Sequence, residues 1–234
     1  MLLDAGQLLE FYDTPSGQTA RRLIVRRLKA MWPQLKGQRL LGYGFPIPYL
    51  KAYLGEAERV VALMPAHTGV VAWPTERPLA ALGLEDALPF PDAMFDRILV
   101  VHALEGAEAA RVLLRQLWRA LAPEGRLIVV VPNRTSLWAQ VERSPFACGR
   151  PFRRGELAHL LTDTLFEPLV FEHALYMPPF RGKRLARMSV SWERLGRRMM
   201  PGMAGVHLVE AKKSLYASVP KKALQRAKPA LAPA

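Results

Sequence analysis

The 234-residue sequence is short of cysteine, of long apolar runs and of metal-ligand spacings, and each shortage excludes a class of protein. Its single cysteine, Cys148, excludes an intramolecular disulfide framework and is typical of a reducing cytosol. No stretch approaches the roughly twenty uninterrupted apolar residues that a membrane-spanning helix needs. Asp4 and Glu10 lie near the start, where a secretory signal is basic, so we expect a cytoplasmic protein. The scattered histidines lack metal-ligand spacing, and we predict no metal site.

Acidic residues are also scarce in one part of the chain. Residues 181–234 hold 13 Lys and Arg against 2 Asp and Glu, a difference of +11, whereas residues 1–180 hold 20 against 18. We therefore expect the basic C-terminal quarter to attract polyanions or anionic membrane without specificity. Proline and lysine in residues 219–234 predict a disordered tail, behind one folded domain over 1–218. Within that domain, residues 1–36 are predicted to form an N-terminal helical cap.

Short apolar runs alternate with amphipathic segments along the chain. Half of the residues are hydrophobic, which is enough for one α/β domain with a full core. Strands that alternate with helices predict a Rossmann-like, doubly wound and mostly parallel sheet. The first predicted strand begins at Arg39. The other six cover residues 59–64, 70–73, 95–102, 126–131, 169–176 and 205–211. Helices are predicted over 19–32, 108–121 and 154–165, with helical propensity over 181–200, and residues 11–17 are predicted to form a turn-rich entry.

The stretch from Arg39 to Leu50 organises the rest: a buried strand, a glycine turn and the start of a helix. Such βαβ openings bind nucleotides where the helix begins at the carboxyl edge of the sheet. Gly44 permits a tight turn and close approach of a ligand. The usual further glycines are absent, and the second strand ends in Met64 where an acidic residue would hold a ribose. The opening is also compatible with a turn that only packs the core.

Two later segments carry a resemblance to a family. Residues 88–99, LPFPDAMFDRIL, and residues 117–127, LWRALAPEGRL, resemble the segments before the fourth and fifth strands of class I S-adenosylmethionine-dependent methyltransferases of type 11. Residues 11–33 and 64–66 resemble one subgroup, which is associated with alphaproteobacteria. The resemblance spans roughly residues 10–217 and implies a seven-stranded sheet, with helices on both faces and the last strand antiparallel between its neighbours.

The resemblance also implies S-adenosylmethionine as cofactor, over the carboxyl ends of the first two strands. Its methionine part would pass the first glycine turn, its ribose the end of the second strand, and its adenine the loop before residue 88. The cofactor-binding residues implied in this way are Gly42, Gly44, Phe45, Pro46, Met64, Glu85, Asp86, Leu88, His102 and Leu104. Gly42 and Met64 stand where the family has acidic residues, so we expect weaker binding than two carboxylates would give.

A small-molecule substrate would lie beside residues that follow strands four and five. We place Tyr12, Glu105, Asn133, Arg134 and Trp138 in this predicted substrate pocket. Residues 10–20 and 134–152 are expected to cover it. His102 is the candidate catalytic base, because an unperturbed histidine has a pKa near 6.5. A strand-end histidine that only packs remains the alternative.

Three functions stay open at this stage. The chain lacks the Asn/Asp-Pro-Pro-Tyr/Phe element of exocyclic-amine methyltransferases after the fourth strand, which favours O- or C-methylation of a small molecule. The missing acids favour a degenerate methyltransferase fold that serves as a binding or regulatory subunit. A nucleic-acid or membrane-surface adaptor would use the basic last quarter, although no nucleic-acid-binding motif is present.

Overall fold

The structure is a computed structural model that describes residues 3–141, 144–179 and 189–215. The predicted tail at 219–234 lies outside the described residues. Six α-helices and seven β-strands are seen in the described part. The helices are α1 Ala5–Asp13, α2 Pro15–Met31, α3 Ile47–Leu50, α4 Ala110–Ala120, α5 Arg154–Asp163 and α6 Ser189–Met199. The strands are β1 Arg39–Gly44, β2 Arg59–Pro65, β3 Ala80–Gly83, β4 Phe95–Val101, β5 Leu121–Pro132, β6 Phe166–Ala174 and β7 Val206–Lys213.

The strands form one sheet in the order β3-β2-β1-β4-β5-β7-β6. The pairs among β1 to β5 are parallel, whereas β7 runs antiparallel to both β5 and β6. This confirms the predicted seven-stranded sheet with its last strand reversed between two neighbours. The order reverses at β1 and β4, so their carboxyl ends border the crevice where doubly wound sheets bind ligands.

Helices cover both faces of the sheet, and neighbouring residues of a strand point to opposite layers. Leu40 and Leu99 face the core beneath α1, α2 and α3, while Leu41 and Val100 face the core beneath α4 and α5. A parallel strand covered on both faces needs a continuous apolar run. This is why β4 was predictable from its sequence.

The third strand was predicted wrongly at residues 70–73. The strand that pairs with β2 is β3, Ala80–Gly83. A parallel neighbour must cross back to the opposite end of the sheet, which usually takes a dozen or more residues. Residue 70 follows the end of β2 too closely for that crossover.

The N-terminal prediction also needs correction. Residues 11–17, predicted as a turn, contain the end of α1 and the start of α2, and Thr14 alone lies between the two helices. Asp4 and Gln7 form a reciprocal capping box at α1, and the Thr14 side chain accepts from the amide of Gly17. Both caps are local sequence signals.

Candidate functional site

The carboxyl ends of β1 and β4 meet through Gly44, which has φ +93°. A Cβ at this position would lie 2.2 Å from the carbonyl oxygen of Val101. The next amide, that of Phe45, donates a hydrogen bond of 2.8 Å to the same oxygen. Gly44 is therefore needed for close approach of the two strand ends, as its residue type indicated, and what approaches is the protein's own backbone.

Helix α1 lies across this edge of the sheet. Its first amide, from Ala5, donates to the carbonyl of Thr68 at 2.8 Å, just after β2. Near its other end, the buried ring of Tyr12 stacks on Phe45, with 6.2 Å between centroids and 16° between planes. The helix thus spans the edge from the end of β2 to the turn after β1.

The hydroxyl of Tyr12 connects α1 to the turns after β1 and β4. Its oxygen lies 2.5 Å from the hydroxyl of Tyr49 and 2.7 Å from Nε2 of His102. Burial raises the pKa of Tyr12 well above its usual value, so this phenol stays protonated. With one proton on each hydroxyl, Tyr49 can donate to Tyr12 and Tyr12 to His102.

Glu105 lies on the other side of His102. The Nδ1 atom of His102 lies 3.4 Å from a carboxylate oxygen of Glu105, and both side chains are 5% exposed. His102 has φ +51°, an uncommon backbone conformation that turns the chain sharply after β4. In the tautomer with its proton on Nδ1, His102 accepts a hydrogen bond from Tyr12 at Nε2.

Glu105 differs from its neighbours because neither of its buried carboxylate oxygens has a hydrogen-bond partner among the described residues. On one side it borders a cavity of about 30 Å³ with His67, Thr68 and Cys148. Burial raises the pKa of the Cys148 thiol, which disfavours the thiolate that a nucleophile requires. On its other side lies a larger cavity of about 530 Å³ between the loop after β4 and α5, with charged groups of both signs.

The other residues predicted for the substrate pocket are placed differently. The buried amide of Asn133 donates to the carbonyls of Gly202 and Ala204, at 2.9 and 2.8 Å. Arg134 is exposed and donates to Pro151. The indole of Trp138 is buried and donates to Met177 at 2.6 Å. In the structure, only Tyr12 and Glu105 of the five contact His102 directly.

Two residues near His102 were missed from the sequence. Tyr49 lies on α3 and completes the hydroxyl chain with Tyr12. Phe146 packs its ring 5.2 Å from His102 and 5.5 Å from Trp138, so the irregular segment after β5 does reach the cleft. Tyr49 follows the glycine turn closely, which was a usable signal. Phe146 lies in a loop without periodicity and had none.

Comparisons with known proteins agree with this topology. A family model described as a methyltransferase domain matches residues 41–129, from β1 into β5. An S-adenosylmethionine-dependent methyltransferase from Mesorhizobium loti is 16% identical with a TM-score of 0.58, covering 80% of this chain and 96% of its own. One from Archaeoglobus fulgidus is 18% identical with a TM-score of 0.58, covering 82% and 94%. The chain has the S-adenosylmethionine-dependent methyltransferase fold.

The same fold is found in the [4+2]-cyclase SpnF, which is 18% identical with a TM-score of 0.59 over 86% of this chain and 84% of its own. No curated protein sequence matches the chain. The neighbours from Mesorhizobium loti and Archaeoglobus fulgidus depend on S-adenosylmethionine. The geometry of this chain decides whether its residues can hold S-adenosylmethionine.

Side chains of the protein itself occupy the positions predicted for the methionine and ribose parts of the cofactor. Pro46 packs against Gly42, where an added Cβ would lie 2.6 Å from the proline ring. Phe45 and Met64 are almost fully buried, and Tyr12 covers the turn after β1. The amide of Phe45, which could face a ligand, is already bonded to β4.

The predicted adenine position is also altered. The carboxylate of Glu85 lies near the backbone amides of Glu108 and Ala109, ahead of α4, and burial raises the pKa of this carboxylate. Asp86 is exposed, whereas Leu88 and Leu104 are buried in the core beneath α4. Ligand pockets typically measure about 300–1,000 Å³, and the cavity beside His102 measures about 30 Å³. The residues do not fit S-adenosylmethionine in this conformation.

Proposed function

We propose that the chain is an S-adenosylmethionine-dependent methyltransferase of a small molecule, whose cleft opens when α1 moves away from the sheet edge. The observation that carries the proposal is the polar pair His102–Glu105 directly after β4, within the methyltransferase-domain match. The absent amine-methylation signature supports O- or C-methylation.

In this proposal, His102 is the base and Glu105 is the residue that positions its ring. Tyr12 occupies the acceptor atom Nε2 of His102 while α1 is closed. Moving α1 would expose that atom to the cleft and would also remove the ring that covers Phe45.

A second candidate function is favoured by the filled cleft itself. A methyltransferase fold that no longer takes the cofactor would tolerate the loss of both acids, the proline-packed turn and the placement of Glu85 beside the start of α4. Such a protein would serve as a binding or regulatory subunit, and the fold alone does not separate these functions.

Calorimetric titration of S-adenosylmethionine and its demethylated product separates the two candidates. If α1 is a movable cover, the Tyr12→Ala variant should bind S-adenosylmethionine at least tenfold more tightly than the wild type does. The reason is that the Tyr12 ring no longer competes with the cofactor for the cleft. Tyr53→Ala is the matched control, since it removes another fully buried tyrosine, whose ring contacts Lys29 instead of His102.

Thermal unfolding of each variant would show that it is folded during the titration. Binding that is undetectable in both the wild type and folded Tyr12→Ala, at millimolar cofactor, would reject the methyltransferase and leave the binding-subunit function. Equal binding by the wild type and Tyr12→Ala would reject the movable cover but not the enzyme.

A further inference from the structure

Helices α2 and α6 lie side by side on one face of the molecule, although they are far apart in the sequence. Between them is a cavity of about 210 Å³ whose walls carry Arg26 and Arg27 from α2, and Arg194 and Arg197 from α6. Arg27 has a carboxylate partner, Glu172, at 3.4 Å. In the described part of the chain, the other three arginines have no carboxylate within ion-pair distance.

The one acidic residue in this cavity is already engaged. Glu193 is buried, and its carboxylate accepts from the amide of Tyr176 at 2.7 Å. One turn of the helix further, Gly196 lies so close to Tyr176 that an added Cβ would be 2.4 Å from the tyrosine Cβ. These two contacts dock α6 in one orientation. The cavity therefore presents a net positive charge to solvent.

The opposite flank of α6 is apolar and open. A groove of about 130 Å³ runs between this flank and the segment around Trp138, with an almost entirely apolar lining. Four large apolar side chains at this groove are exposed by 42–67%: Leu195, Met199, Met200 and Met203. Monomeric soluble proteins seldom expose contiguous apolar patches of this kind without a binding role.

We propose that this α2–α6 surface, made of Arg26, Arg194 and Arg197 with Leu195, Met199 and Met203, docks onto an anionic lipid membrane. A helix that carries arginines on one flank and exposed Leu and Met on the other matches both layers of the membrane interface. The guanidinium groups meet lipid phosphates, and the apolar side chains enter the acyl boundary. The charge of +11 in residues 181–234 attracts anionic lipid as well, over a longer distance than the contacts of single arginines.

The apolar flank is what favours a membrane over a nucleic acid. A nucleic-acid surface would use the arginines, but exposed leucine and methionine side chains do not stack on bases as aromatic rings do. Of the tryptophans in the groove, Trp138 is buried and Trp192 is half-buried. No helix in the described part of the chain is long and apolar enough to cross a membrane. The proposal is accordingly one of peripheral docking, and it does not depend on the function proposed above.

Co-sedimentation of the full-length protein with phosphatidylcholine vesicles, with and without phosphatidylglycerol, tests the docking. We expect binding only to the anionic vesicles, with affinity falling as salt is raised. The double variant Arg194→Glu/Arg197→Glu should lose at least tenfold in affinity. Arg111→Glu/Arg115→Glu on α4 is the matched control, because it makes the same charge change on exposed arginines of the opposite face and should bind nearly as well as the wild type.

The double variant Leu195→Ser/Met199→Ser keeps the net charge and tests the apolar flank, and it should bind at least fivefold more weakly. Wild-type affinity in this variant would overturn the proposal in favour of a purely electrostatic surface. Binding to heparin without binding to anionic vesicles would overturn it in favour of a polyanion site. Wild-type affinity in both the arginine and the apolar variants would assign the binding to another basic segment, which also overturns it.

Discussion

The sheet edge beneath α1 and the surface between α2 and α6 are opposites in how their polar groups are used. At the edge, the hydroxyl of Tyr12 is shared between Tyr49 and His102, and the amide of Phe45 is bonded to β4. On the α2–α6 surface, Arg194 and Arg197 remain exposed beside open apolar side chains. The comparison shows that the edge where a fold usually binds its ligand can be occupied by the protein's own side chains, while a surface elsewhere stays available.

Burial explains why the two regions diverged. A buried polar group without a partner costs about 1–3 kcal/mol, so the closed edge has to satisfy its groups internally or with a ligand. Glu105 is the exception there, since its carboxylate has no hydrogen-bond partner in the described residues. Exposed arginines have water as a partner and bear no such cost, and they remain available to a binding partner.

The largest expected effect on stability comes from separating the ends of β1 and β4 at Gly44. Gly44→Ala forces a Cβ onto the carbonyl of Val101 at φ +93°, and we expect a loss of about 3 kcal/mol or more in the free energy of unfolding. Gly37→Ala is the control, because Gly37 also has a positive φ but an added Cβ meets nothing within 4 Å. Urea denaturation should give a loss of only about 1 kcal/mol for the control. Equal losses would mean that backbone conformation alone sets the requirement.

The next effect concerns pH, at a buried histidine of β7 on the sheet face that α4 and α5 cover. Burial, with His173 and Arg154 nearby, lowers the pKa of His207 from 6.5 to about 4. The unfolded state therefore binds more protons between these values, and stability should fall as the pH falls from about 6.5 to 4, by about 2–3 kcal/mol.

Urea denaturation between pH 7 and 4.5 measures this dependence. His207→Gln should reduce it, because the neutral amide has no proton to gain, and burial of His173, whose pKa is also lowered, accounts for the rest. The exposed His159→Gln is the matched control. A dependence that is as steep in His207→Gln as in the wild type would place the titrating group elsewhere.

The smallest expected effect sharpens the account of the hydroxyl chain. Tyr12→Phe leaves the buried hydroxyl of Tyr49 and Nε2 of His102 without this partner, so we expect a loss of about 1–2 kcal/mol in the free energy of unfolding. Tyr43→Phe removes a buried hydroxyl that has no partner among the described residues, and it should be nearly neutral. Equal stability of the two variants would show that the Tyr12 hydroxyl adds nothing to the closure.

Much of the fold was predictable because its signals are local. The apolar runs of β4 and β5, and the two methyltransferase-like segments around them, indicated a parallel sheet with its crevice at β1 and β4. Residues 70–73 do not form a strand, because four apolar residues occur equally well in a loop that packs on the core. Strand pairing also needs a crossover length, which apolar composition does not report.

By itself, the sequence determined the alternation of elements, the absence of acids at Gly42 and Met64, and the basic last quarter, since each depends on residue type at neighbouring positions. Only the tertiary structure decided that Tyr12 lies on His102, 90 residues away, and that arginines of α2 and α6 share one cavity. The physical reason is that helix and strand periodicity is set within a few residues. Which side chain fills a cleft depends instead on how distant elements pack, and packing is a property of the whole fold.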